Sequence, residues 1–301
     1  MDIDGQAVAL VVVKSVLAAS ALVAIGLGLT AAMGVTRGEA AKRNVRQAFV
    51  AAAIALACGV LRIPLVSASL AGDIARAFDP SSLTWAWTIH QSNIAALVAG
   101  AILLATAAAA GSRIYAALGA GAIAAAFAFI GHTQALAAPG FAPAVAALHV
   151  LLVGFWITAP YVLWPTRVTP DTELIVRLDQ FSRIAVVAVP ALFGTGVWLA
   201  WRLLGDFGSL FAHPYGQLLT AKAVFASAAL GLGVINKQVV VARARPRLAA
   251  AHARSGCRRL RRSDHRRHSS DNDDGPRGMT TERTASCLDC RDDHMAFDFP
   301  T

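Results

Sequence analysis

Six ionisable side chains stand inside long apolar surroundings: Lys14, Arg62, His90, His132, His149 and Lys222. Such groups are costly and rare within a membrane, so each is a candidate for function. Imidazole nitrogen is a ligand for copper, zinc, iron and nickel. Three histidines from different helices would therefore serve as a metal site, and two facing each other would serve as axial ligands of a b-type haem. Other ligand types are sparse. Cys58 lies deep in an apolar run and reads as a packing residue. Cys287-x2-Cys290-x3-His294 in the tail is one CxxC and one histidine, short of a convincing zinc site. Met1, Met33, Met279 and Met295 provide no thioether relay for copper. No P-loop, dinucleotide fingerprint, HExxH or nucleophile elbow stands in a credible context, so the chain does not read as an enzyme.

The elements that must position these residues are membrane helices. The chain is 56% hydrophobic and only 15% charged, where soluble domains carry about 25% charged residues. Seven apolar runs cover residues 8–33, 49–70, 85–110, 114–138, 141–164, 184–204 and 218–241. A run of about 20 apolar residues spans the hydrocarbon core, and it must be helical because lipid offers its backbone no other partner. The expected fold is all-α: a polytopic bundle of about seven spans over residues 1–241, then a basic, disordered tail over residues 242–301. Asp2 and Asp4 stand where a signal peptide carries positive charge, and the first run is too long for a signal core. At a rise of 1.5 Å per residue, His90 lies about 8 Å, His132 about 9 Å and His149 about 12 Å from the outer ends of their runs. Lys14 comes to about 9 Å, Lys222 to about 6 Å and Arg62 to about 12 Å. The expectation is one polar chamber open to the outside, although Lys14 and Lys222 also suit snorkelling to the interface.

Loop charge sets the orientation. Arg37, Lys42, Arg43 and Arg46 follow the first run, Arg113 the third, and Arg167, Arg177 and Arg183 the fifth. The opposite side holds only Arg76 and Arg202. The positive-inside rule then places the N-terminus outside and the tail in the cytoplasm. The net charge of +9 suggests nucleic acid until it is mapped. Thirteen of the 27 Lys and Arg follow residue 241, mixed with nine acids and no interleaved aromatics, which fits a tail beside a lipid bilayer rather than a nucleic-acid surface.

Leu148-His149 with Trp156, then Phe181-Ser182, Thr195-Gly196, the stretch Pro214-Tyr215-Gly216-Gln217-Leu218-Leu219, Lys222 and Asn236 form a series in the last three spans. With it, residues 141–247 resemble the copper resistance protein D family of bacterial inner-membrane proteins. The resemblance implies copper uptake from the periplasmic side, often beside a periplasmic copper-binding partner. On that reading His90, His132 and His149 are the first copper ligands. Lys14, Arg62 and Lys222 line the chamber, and Trp156 and Tyr215 shape its mouth. Two departures stand out. Ile157-Thr158 replaces the small glycines usual after the tryptophan, and the chain after Arg262 lacks the further span such proteins have, as a replaced or frameshifted C-terminus would. The orientation predicts that reporters fused at Asp2 and after Arg247 report the periplasm and the cytoplasm respectively. A periplasmic signal from the second fusion would invert every depth above.

Overall fold

The computed structural model describes residues 5–131, 134, 136, 138–164 and 171–204, and beyond them 216, 217, 220, 221, 224, 227, 228 and 231. The chain divides into two units, Met1–Ala229 and Leu230–Thr301, and of the second only Gly231 is described. The expected tail, most of the seventh run, and His132, Arg167, Tyr215 and Lys222 lie outside the described residues.

The first unit is an all-helical transmembrane bundle, with no strand among the described residues. Its helices are α1 (Gly5–Ala32), α2 (Gly38–Ala71), α3 (Pro80–Ala110), α4 (Arg113–Ala126), α5 (Ala142–Ile157), α6 (Ala159–Val162) and α7 (Asp171–Leu204). Five segments are long and apolar enough to cross a membrane: α1, α2, α3, Ala142–Val162 and Val176–Leu203. They match the first, second, third, fifth and sixth runs.

Three boundaries differ from the sequence reading, the first being α2, which begins at Gly38 inside the stretch read as loop before residue 49. The fourth run was expected to be helical to residue 138. Instead α4 stops at Ala126, a 3-10 turn covers Phe127–Phe129, and Ile130 is extended. Gly131 follows at a φ of +95°, where a side chain is rarely tolerated. Apolar composition alone does not separate a helix from an apolar strap leading to a turn. At the third boundary, Arg177 and Arg183, expected in an inner connection as loop or short interfacial helix, lie in the N-terminal third to half of α7 itself. There Arg183 pairs with Asp179 at 2.8 Å, an exposed i,i+4 pair typical of helix extended beyond the hydrocarbon.

Helix α1 is the hub. It packs on α2, α4 and α5, α3 closes the circle between α2 and α4, and α7 lies on α5. Lipid tails give helices no hydrophobic reason to associate, so close van der Waals fit must hold them together. The tightest fit joins α1 to α5. A methyl group added at Gly26 would collide with the Gly154 carbonyl and the Thr158 side chain, and one added at Gly154 would lie 2.7 Å from Ile25 Cγ2. Thr158 is buried here, its hydroxyl bonded to the Gly154 and Phe155 carbonyls at 3.2 and 3.1 Å. Thr158, one of the family departures, therefore belongs to this crossing. Pro160 follows at the start of α6, where it has no N–H to continue the ladder of α5.

Polar groups tie the ends. Asn93 donates to the Ala126 carbonyl at 2.8 Å, satisfying an acceptor where α4 gives way to the 3-10 turn. Asp79 caps α3, and the hydroxyl of Ser81 and the amide of Ser82 hold its carboxyl below the usual carboxylate range. At the opposite end Gln180 of α7 donates to the Met33 carbonyl at 2.6 Å and accepts from Arg37 at 3.2 Å, fastening α7 to the α1–α2 turn. Outward faces carry large apolar side chains such as Ile102, Ile114, Val186 and Val187, the surface that lipid requires.

The α1–α5 crossing generates a stability prediction. Gly154→Val should lower the thermal midpoint in detergent, at a cost of about 1–3 kcal/mol, because it overpacks a fixed backbone contact. Gly194→Ala, with nothing within 4 Å of the new methyl, should not lower it. Equal midpoints for Gly154→Val and wild type would remove the crossing from any account of stability.

Candidate functional site

The described candidate residues fall into two polar places on the bundle. The first belongs to α1, α2 and α3. A methyl on Gly59 would meet Ile94 Cδ1 and Leu97 Cδ1 at 3.1 Å and Leu17 Cδ1 at 3.7 Å, so three helices converge at this level. One turn towards the N-terminal end of α1, the same faces carry Lys14, Arg62 and His90, because residues three and four apart share a face. Each lies about 14–15 Å from the end of its helix, at nearly one depth. They are in electrostatic reach: the charges of Arg62 and Lys14 both act on His90, and that of Arg62 acts on Lys14. His90 is buried, Arg62 half-buried and Lys14 exposed. His90 Nδ1 and Arg62 Nε are both buried and have no hydrogen-bond partner among the described residues. Helices α1 and α3 contain no Asp or Glu, and in α2 the only one is Glu39 in the first turn, paired with Lys42 at 2.7 Å. The corner is thus cationic and rich in donors.

The second place lies between α5 and α7. His149 Nδ1 is 3.0 Å from Thr195 Oγ1. The Thr195 hydroxyl already donates within its own helix, to the carbonyls of Ala191 at 2.8 Å and Leu192 at 3.0 Å. With that hydroxyl turned to its own helix, we assign its oxygen as the acceptor and the proton of the contact to His149 Nδ1. Nε2 then holds the lone pair, the arrangement in which a metal-ligating histidine is oriented by an outer partner. A methyl on Gly196 would come 3.2 Å from His149 Cε1, so the ring is also held by shape. Below it, Phe155 stacks on Phe181 with centroids 4.8 Å apart, and Trp156 meets Phe181 at 6.1 Å. Trp156, expected at the mouth of a chamber, sits in this aromatic packing.

Contacts of Gly154 with Leu22 and Ile25, and of Gly26 with Thr158, set α1 and α5 parallel. By that register His149 stands near the level of Ala19, roughly 7 Å further in than Lys14. The structure therefore gathers Lys14, Arg62 and His90, and gives His149 to Thr195. Among the described residues no three His, Cys, Asp or Glu side chains gather as a metal cage; His132, the other predicted ligand, is outside them. Sequence reasoning missed the task of Thr195, whose only signal was its place beside Gly196 in the family-like series. It also missed Gln180 and Asn93, which as single polar residues carry no motif.

The hydrogen-bond direction is testable. Nitrogen-15 spectra of histidine-labelled protein should show His149 protonated at Nδ1 and bare at Nε2, and Thr195→Val should mix the tautomers. A wild-type ring protonated at Nε2 alone would refute the assignment.

Residues 175–265 match the model of the copper resistance protein D family. The matched segment holds α7 from residue 175 onward, with Phe181-Ser182 and Thr195-Gly196, and then the stretch 214–219, Lys222 and Asn236; it begins after His149 and Trp156. No curated protein and no solved structure matches the chain. The resemblance read from the sequence holds over this segment: the chain has helices long and apolar enough to cross a membrane, and its residues 175–265 are similar to the copper resistance protein D family.

Proposed function

We propose that this protein handles copper as a carrier rather than an enzyme, taking copper ions from the periplasmic side of a bacterial inner membrane and passing them inward in support of copper resistance. The observation that carries the reading is the His149–Thr195 pair: a threonine of the segment similar to the copper resistance protein D family fixes an imidazole with its metal-binding nitrogen bare. Copper is the cargo. His149 is its ligand, and the second imidazole expected from the sequence is that of His132, ten residues before α5. Lys222 and Tyr215 fall within the matched segment and keep their expected part in the chamber, and a periplasmic copper-binding protein delivers the ion. His90 is reassigned. The neighbouring positive charges of Arg62 and Lys14 repel a metal ion, which disfavours copper at that ring.

Purified protein should bind copper, and His149→Ala should remove most of it while helix content stays unchanged. Thr195→Val should weaken binding about 10–100-fold, the usual cost of losing an outer-shell partner. Arg62→Gln should leave copper stoichiometry unchanged. Full binding by a His149→Ala/His132→Ala double variant would defeat the reading. A haem Soret band in the visible spectrum of purified protein would replace it with a bis-histidine cytochrome.

A further inference from the structure

The corner made by Lys14, Arg62 and His90 has no part in carrying a cation, yet it is built. Three helices deliver one polar residue each to the same depth, and two of those residues have a buried nitrogen without a hydrogen-bond partner among the described residues. Lys14 alone would be explained by snorkelling. Arg62 is not: its Nε is buried, and an uncompensated charge in a low-dielectric setting is strongly unfavourable. No carboxylate of α1 or α3 is present to compensate it, and Glu39 lies at the far end of α2. The groups present are an ammonium, a guanidinium and an imidazole, which between them offer N–H donors to an acceptor with several oxygens. Guanidinium in particular matches the paired oxygens of phosphate and carboxylate. The exposed position of Lys14 leaves the corner open on one side. Above it, the Gln6 side chain bonds the Leu65 carbonyl at 3.4 Å and keeps α1 and α2 together.

We propose that Lys14, Arg62 and His90 form an oxyanion site that binds a phosphate group, held by the two cations and by the imidazole N–H. The phosphate is either free in solution or the headgroup of an anionic lipid whose tails lie along α1. The site is independent of the copper reading, and loss of copper binding would leave it intact.

The test uses the full-length chain. In detergent, thermal unfolding is followed while sodium phosphate is titrated against sodium chloride at equal ionic strength. In nanodiscs, phosphatidylglycerol is compared with phosphatidylcholine. A phosphate-dependent rise in midpoint assigns a soluble oxyanion, and a rise with phosphatidylglycerol alone assigns the lipid headgroup; both support the site. In either arm, Lys14→Gln/Arg62→Gln should weaken the apparent affinity at least tenfold, and His149→Ala should not change it. If Arg62→Gln does not fold, Lys14→Gln at its exposed position carries the test, with an expected loss of about threefold or more. No response to phosphate or to phosphatidylglycerol in the wild type would overturn the proposal. So would an undiminished response in the charge-neutral variants.

Discussion

Hydrocarbon gives a polar atom nothing to bond to, and every part of this bundle answers to that constraint. The backbone answers by staying helical. Side-chain hydroxyls answer by bonding the carbonyl a turn behind, as Ser15, Ser20, Thr84, Thr88 and Thr106 all do. Where a helix breaks, a neighbour supplies the missing bond: Asn93 for Ala126, and Thr158 for the end of α5. Among the described residues the buried Ser67 hydroxyl lacks such a bond, and so do Arg62 Nε and His90 Nδ1, nitrogens of ionisable side chains.

The same constraint separates the two polar places by chemistry. Near Lys14 and Arg62 the fixed charge is positive, so only an electron-rich guest is welcome. Around His149 the neighbours are the uncharged Thr195 hydroxyl and the backbone at Gly196, and the ring keeps a lone pair to offer. One bundle thus presents a donor-lined place among α1, α2 and α3 and an acceptor-bearing one between α5 and α7. A chamber shared by all three histidines would have mixed these properties and weakened both.

The spans were largely legible in the sequence because hydropathy reports burial in lipid directly, and five of the seven runs are crossing helices at nearly the expected limits. What hydropathy hides is helix that continues outside the hydrocarbon. Residues 38–48 and 171–183 are polar, so they read as connections, yet they prolong α2 and α7. It also hides where an apolar segment stops being helical, as at Phe129. The candidate residues were visible as charges in the wrong solvent, and their shared depth suggested one chamber for all six, of which the structure brings together Lys14, Arg62 and His90. Which histidine meets which partner was not visible. Residues 149 and 195 are distant in sequence, and the hydrogen bond between them depends on the tilt of α7 against α5.

The crossing of Gly26 with Gly154 has a consequence for how the sequence can change over time. At most packed contacts, growth of one side chain can be offset by shrinkage of its neighbour. Here both positions already hold the smallest residue, and the obstructing atoms include a main-chain carbonyl that no substitution removes. A smaller residue at position 25 would relieve the side-chain clash at Gly154 but not the approach to the Leu22 carbonyl, so growth at either glycine meets main chain. The lipid-facing valines and isoleucines meet no such limit, and the contact on which α5, and through it α7, is mounted is the more constrained for it.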